Sequence, residues 1–258
     1  LTLAQQGAAD GQWSYYAGDI GSTKYSPLEQ INSGNVMQLR IAWRRPAVDQ
    51  TILARVPNLS VTKNLTSTPL MVDGILYSSN GVGLAEAFDP ATGETIWVQE
   101  PLDSGQQAYR GAETRGVAYW SDGRDQRIIV QRGQYLIALN AKTGKPYSDF
   151  GDGGRVNLTS GLGGDARYRW TGVPLVVGDV VVMGQSMTDT FITKEAVRGD
   201  VRAFDVRTGE LRCQLEADRW DRSAPHRTPR GCVLRQGRPL LPTSGARRPL
   251  RDLSHAQK

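Results

Sequence analysis

Cys213, Cys232, His226 and His255 are the only cysteines and histidines in the chain, and all four follow residue 212. The first 212 residues therefore cannot build a Ser-His-Asp or Cys-His nucleophile system, nor a zinc site of His or Cys ligands. Spacings of 13, 6 and 23 among the four do not match a zinc knuckle either. Other motifs are weak. "NGVGLAE" at 80–86 starts like a dinucleotide fingerprint, but Glu86 stands at its third glycine place and no helical pattern follows. "DFGDGGR" at 149–155 lacks EF-hand spacing. Asn64 and Asn157 sit in N-x-Thr sequons, which matter only in a host that glycosylates.

With those chemistries removed, the elements that would position a site become the question. The chain has 258 residues, 22% charged and 39% hydrophobic, which is globular composition. No run of 18 apolar residues appears, so no membrane-spanning helix is expected. The chain starts at Leu1 rather than Met, as after leader removal or in a fragment. Its net charge of +5 is uneven: residues 1–212 sum to −1 and residues 213–258 to +6. The basic balance belongs to the tail, so the body gives no reason to expect nucleic acid.

One string recurs. "AFDPATGETIW" at 87, "ALNAKTGKPYS" at 138 and "AFDVRTGELRC" at 203 share Ala-x-Asp/Asn-x-x-Thr-Gly, spaced 51 and 65 residues apart. Alternating apolar strands precede each copy. Asp89, Asn140 and Asp205 are suited to cap the turn, Gly93, Gly144 and Gly209 to supply its positive φ, and Thr92, Thr143 and Thr208 to bond the local backbone. "STPLMVDGILYS" and "GVPLVVGDVVVMG" each read as two strands around a tight turn, at Asp73–Gly74 or Gly178–Asp179. That makes about four strands per unit, with insertions at 101–116 and 151–170 lengthening the period. The expected fold is all-β, a partial β-propeller of about three to four blades. A β-sandwich with similar hairpins is the alternative.

Residues 10–212 resemble the N-terminal part of the pyrroloquinoline quinone (PQQ)-dependent dehydrogenases, the eight-bladed quinoprotein alcohol, polyol and glucose dehydrogenases. The resemblance rests on "WSYYAGDIGSTKYSPLEQINSGNVMQLRIAWR" at 13–44, "NLTSTPLMVDGILY" at 64–77, "TRGVAYW" at 114–120 and "RGDVRAFDVRTGEL" at 198–211. In such a propeller each hairpin ends in a tryptophan that packs against the next blade. Trp97 fits, and Ser148 and Cys213 stand at the same count in the other copies. Burying one tryptophan contributes about 2–3 kcal/mol.

The resemblance implies PQQ and Ca²⁺ as cofactors, with hydride moving from an alcohol, polyol or sugar to the quinone. It implies a quinone or cytochrome electron acceptor, a bacterial periplasmic location and membrane association in some members. Arg115 matches the family's cofactor-contacting arginine, and guanidinium suits a carboxylate or quinone oxygen. Ser186 and Asp189 fall at the family's cofactor-binding serine and metal-ligating carboxylate, although Met187 and Thr188 replace smaller residues between them. Gln131 and Thr66 lie near other rim positions, and Trp170 is either a stacking aromatic or a packing residue. Tyr109 and Arg110 stand where many alcohol-oxidising members carry vicinal cysteines, which argues for the sugar or polyol branch. The family's catalytic aspartate has no counterpart here, so no catalytic residue is assigned and the chain alone is expected to be inactive. A non-catalytic scaffold, like the propeller lipoprotein of the outer-membrane β-barrel assembly machinery, shares the repeat but has no need of "STKYSPLEQIN" or "TRGVAYW".

The reading divides the chain into a propeller part, 1–212, and an irregular Arg/Pro-rich tail, 213–258, with the composition of disorder. Pattern, composition and charge all change at one residue, as a shift of reading frame or a truncated gene would produce. A dedicated polyanion-binding arm is the weaker explanation. Translating the source DNA beyond Arg212 in the other two frames is expected to return propeller sequence. Frames without it would exclude the frame shift.

Overall fold

The computed structural model describes residues 11–62, 64–103, 114–162, 170, 172–186 and 199–215. Among them, twelve strands form three antiparallel sheets of four, each in sequence order. The first sheet is β1 (Leu70–Val72), β2 (Ile75–Ser79), β3 (Ala85–Phe88) and β4 (Thr95–Val98). The second is β5 (Ala118–Ser121), β6 (Gln126–Arg132), β7 (Tyr135–Asn140) and β8 (Arg155–Asn157). The third is β9 (Leu175–Val177), β10 (Val180–Met183), β11 (Val201–Asp205) and β12 (Leu211–Leu215). These are three propeller blades, so the partial propeller is the observed fold. Strand β12 carries it past Arg212 to Leu215. One short helix, α1 (Gln50–Arg55), precedes the blades, its first turn capped by the Asp49 carboxylate, which accepts from Thr51 N at 2.8 Å.

The middle blade is buried on both faces, and its alternation shows how. Ile128 and Val130 of β6, with Ile137 and Leu139 of β7, pack against Leu70, Tyr77, Ala87 and Trp97 of the first blade. Ile129, Leu136 and Ala138 point the other way, against Val176, Val181, Met183 and Phe204 of the third. A strand with period two and two covered faces must be apolar at every position, hence the unbroken run "IIV".

The Thr-Gly hairpins form as expected. Asp89 Oδ1 accepts from the Ala91 and Thr92 amides, each at 2.8 Å, and Asn140 and Asp205 do the same in their turns. The Thr92, Thr143 and Thr208 hydroxyls accept from the amide two residues on. Each turn also receives the neighbouring blade. The Trp97 indole donates to Ala141 O at 2.8 Å, and its ring lies on Gly144, where a Cβ would come within 2.4 Å. Trp43, ahead of the first blade, repeats this on Pro90 O at 2.9 Å and on Gly93. The glycine is thus required twice, for positive φ and for the missing Cβ.

The seam between the second and third blades is closed differently. Ser148 is exposed and lies outside β8. Val156 and the backbone of Gly151 cover Gly209 instead. The turn carbonyls of Val206 and Arg207 accept from the buried Arg127 guanidinium at 3.3 and 2.8 Å. Arg127 is held by Asp125 at 2.7 Å and stacks 3.8 Å above the Tyr147 ring. Cys213 does occupy the tryptophan's register: it pairs with Ala203 as Trp97 pairs with Ala87. In urea unfolding, Trp97→Ala is expected to cost about 3–5 kcal/mol and Arg127→Ala about 3 kcal/mol. Ser148→Ala is expected to stay within about 0.5 kcal/mol. A large loss at Ser148 would contradict this account of the seam.

Candidate cofactor rim

The topology sorts the functional candidates by end. In each meander the first and third turns share one end, which holds the Thr-Gly hairpins. The lead-in to the first strand and the second turn share the other, the upper end. Arg115 lies on the lead-in to β5, Thr66 on that to β1 and Trp170 on that to β9. Gln131 lies near the end of β6, and Ser186 follows β10. All five therefore fall at the upper end.

The lead-ins also meet. Thr68 N donates to Arg115 O at 2.8 Å. A Cβ on Gly116 would sit 2.9 Å from Thr68 O and 3.6 Å from a Val173 methyl. Residues 68, 116 and 173 are thus packed side by side, so the first strands of the three blades converge there. Any side chain at 116 would push the blades apart.

The site side chains differ in state. The Arg115 side chain is exposed, and among the described residues nothing pairs with its guanidinium. Thr66 is exposed, and Ser186 is half-buried. Gln131 is buried; its Nε2 donates to Gly133 O, and its Oε1 lacks a partner among the described residues. The Trp170 ring rests against Gly172 and Gly184 and packs on the core between the second and third blades, which is a packing role. Its indole N–H is buried and unpartnered among the described residues. Asp189, Tyr109 and Arg110 lie outside the described residues.

Strand register reveals a further set. Leu76, Ile128 and Val181 pair with Phe88, Leu139 and Phe204, so Asn80, Arg132 and Gln185 are equivalent positions. Each carries a buried side-chain nitrogen or oxygen without a hydrogen bond among the described residues. Burial pulls the Arg132 guanidinium below its usual value, against the opposing charge of Asp103. A single sequence did not show this, because the second strands are too dissimilar to align without their pairing.

A ligand with several carboxylates needs donors around its edge. The exposed Arg115 guanidinium, unpaired among the described residues, and the half-buried Ser186 hydroxyl are donors of that kind. A guanidinium and a hydroxyl at one end suit the edge of an anionic ligand such as PQQ. Among the described residues no three His, Cys, Asp or Glu side chains group to hold a metal.

A family model described as the β-propeller domain of PQQ glucose, ethanol and alcohol dehydrogenases matches residues 13–232. The chain belongs to that family. It is 31% identical to the dehydrogenase subunit of the quinone alcohol dehydrogenase of Gluconobacter oxydans, over 82% of this chain and 25% of that protein. It is 33% identical to the quinoprotein glucose dehydrogenase of Escherichia coli, over 79% of this chain and 27% of that protein. Among solved structures, the quinohemoprotein alcohol dehydrogenase of Comamonas testosteroni superposes with a TM-score of 0.58 at 28% identity, covering 80% of this chain and 27% of that one. The chain spans about a quarter of the length of these relatives. The family match extends past Arg212.

A buried titratable group of the first blade bears on stability. Glu86 of β3 sits 3.4 Å from the Arg45 guanidinium. Burial raises its carboxyl to about 7, outweighing the pull of Arg45, while Asp49 adds to the rise. The folded chain thus holds a proton that the unfolded chain releases. This contribution is fully present below about pH 4.5 and is lost as pH rises through about 7. The stability of wild type relative to Glu86→Gln is expected to fall across that window, by at most about 3 kcal/mol. Paired urea titrations at pH 4.5 and 8 measure it; a pH-independent difference would contradict it.

Proposed function

We propose that these three blades form part of the wall of a PQQ site, in a dehydrogenase that oxidises an alcohol, a polyol or a sugar. The observation that carries the reading is the Arg115 guanidinium, unpaired among the described residues, on the lead-in where the three blades converge. Family membership and the relatives' names support it. Arg115 would give paired, charge-assisted bonds to a carboxylate or quinone oxygen. Ser186 would add a hydroxyl donor, and Gln131 its unpartnered amide oxygen. Asp189 would offer a carboxylate to Ca²⁺, a hard cation that prefers oxygen ligands. When bound, PQQ supplies the hydride-accepting chemistry. The chain's own work is to fix the ligand's edge and keep its charges paired.

The working compartment in this reading is the bacterial periplasm. The electron acceptor is a quinone or a cytochrome, and membrane association of the full protein is an option the family resemblance leaves open. The sugar or polyol branch rests on Tyr109 and Arg110 replacing the cysteines. Identities of 31% to an alcohol dehydrogenase and 33% to a glucose dehydrogenase favour neither branch. No residue of this chain is assigned as the base that takes the substrate's hydroxyl proton. The 258 residues alone, given PQQ, Ca²⁺ and an artificial electron acceptor, are therefore expected to oxidise neither alcohols nor sugars. Steady reduction of the acceptor would overturn that part of the reading.

A further inference from the structure

Three successive carbonyls around Arg115 are each fixed by a hydrogen bond. Thr114 O accepts from Ser79 Oγ at 3.0 Å, Arg115 O from Thr68 N at 2.8 Å, and Gly116 O from Thr114 Oγ1 at 3.0 Å. Two of the three donors come from the first blade, whereas Arg115 leads into the second. Ser79 is 1% exposed and Thr114 6%, so neither bond competes freely with water. Ser79 is held in turn, because its amide donates to Ser67 Oγ at 3.1 Å and Ser67 pairs with Ser78 at 2.8 Å. Thr68 O lies so close to Gly116 that no Cβ fits between them.

We infer that Ser79, with Thr68 and Thr114, positions Arg115 for its anionic ligand; this rests on the PQQ reading above. The Arg115 side chain is exposed and has four rotatable bonds, so packing does not aim it. What can be fixed in advance is the backbone that carries it. A clamp on carbonyls 114, 115 and 116 lowers the ordering cost when the guanidinium engages a carboxylate. The clamp spans the seam, so the first blade sets where the second blade's arginine stands. Ser79 touches no ligand in this scheme and is a positioning residue.

The test is PQQ binding to the full 258-residue chain, read by quenching of tryptophan fluorescence, with thermal melting alongside. Arg115→Ala is expected to weaken binding, and Ser79→Ala to weaken it about tenfold, the worth of one charge-assisted contact held less well. Ser79→Thr keeps the hydroxyl and should restore affinity. The double variant should bind no more weakly than Arg115→Ala alone, since the hydroxyl acts through the arginine. If Ser79→Ala fails to fold, Ser79→Cys, similar in size and a weak donor, is read in its place. If Arg115→Ala weakens binding and the Ser79 variants do not, the clamp is wrong and the PQQ reading stands. A Ser79 loss that persists undiminished in the Arg115→Ala background also overturns the clamp. A wild-type chain that leaves PQQ unbound, or an Arg115→Ala variant that binds it normally, overturns the PQQ reading and the clamp with it.

Discussion

An indole laid on a glycine sets the geometry of this molecule. Trp43 over Gly93 and Trp97 over Gly144 each place a flat ring where any Cβ would collide. Each also points its N–H at the carbonyl following the turn's Asp or Asn. Dispersion fixes the spacing of neighbouring sheets and the hydrogen bond fixes their register, while burial of the ring supplies the driving force. The Thr-Gly turn is therefore both the end of one hairpin and the socket for the next blade. Once sheets are held at that spacing, their first strands must converge. The packing of Thr68, Gly116 and Val173 is the consequence at the upper end.

The second seam shows which part of that interaction is essential. Its indole is absent, yet the equivalent carbonyl, that of Val206, is still capped, now by Arg127 from β6. The apolar half of the task falls to Val156 on a strand that starts late. Splitting one residue's work between two introduces a buried charge, and Asp125 and the Tyr147 face compensate it. A guanidinium can do this because its fork reaches two carbonyls and a carboxylate at once.

Much of the fold was legible because its signals are local. Asp89, Thr92 and Gly93 act within one turn, and Trp97 lies four residues beyond the glycine, so spacing alone identifies them. Ser148 shows where counting fails. Pro146 and the segment at 148–154 interrupt the outer strand, and the seam is then closed by residues that no fixed offset predicts. The resemblance nominated Arg115, Gln131 and Ser186, and the blade topology brings them to a common end. The residues that hold Arg115's backbone were not found. Serine and threonine in "NLTST" and "SSN" look like ordinary loop residues until the first blade is placed beside the second. Asn80, Arg132 and Gln185 became equivalent only through strand pairing.

The central claim is that blade spacing, set at the glycine sockets, delivers Arg115 and Ser186 to one face of a common ligand site. A crystal structure of the chain grown with PQQ tests this most directly. The account predicts the cofactor at the upper end, with a carboxylate or quinone oxygen within hydrogen-bond distance of the Arg115 guanidinium and another polar atom near the Ser186 hydroxyl. Cofactor bound among the Thr-Gly turns, or blades whose lead-ins diverge with Arg115 remote from Ser186, would contradict it.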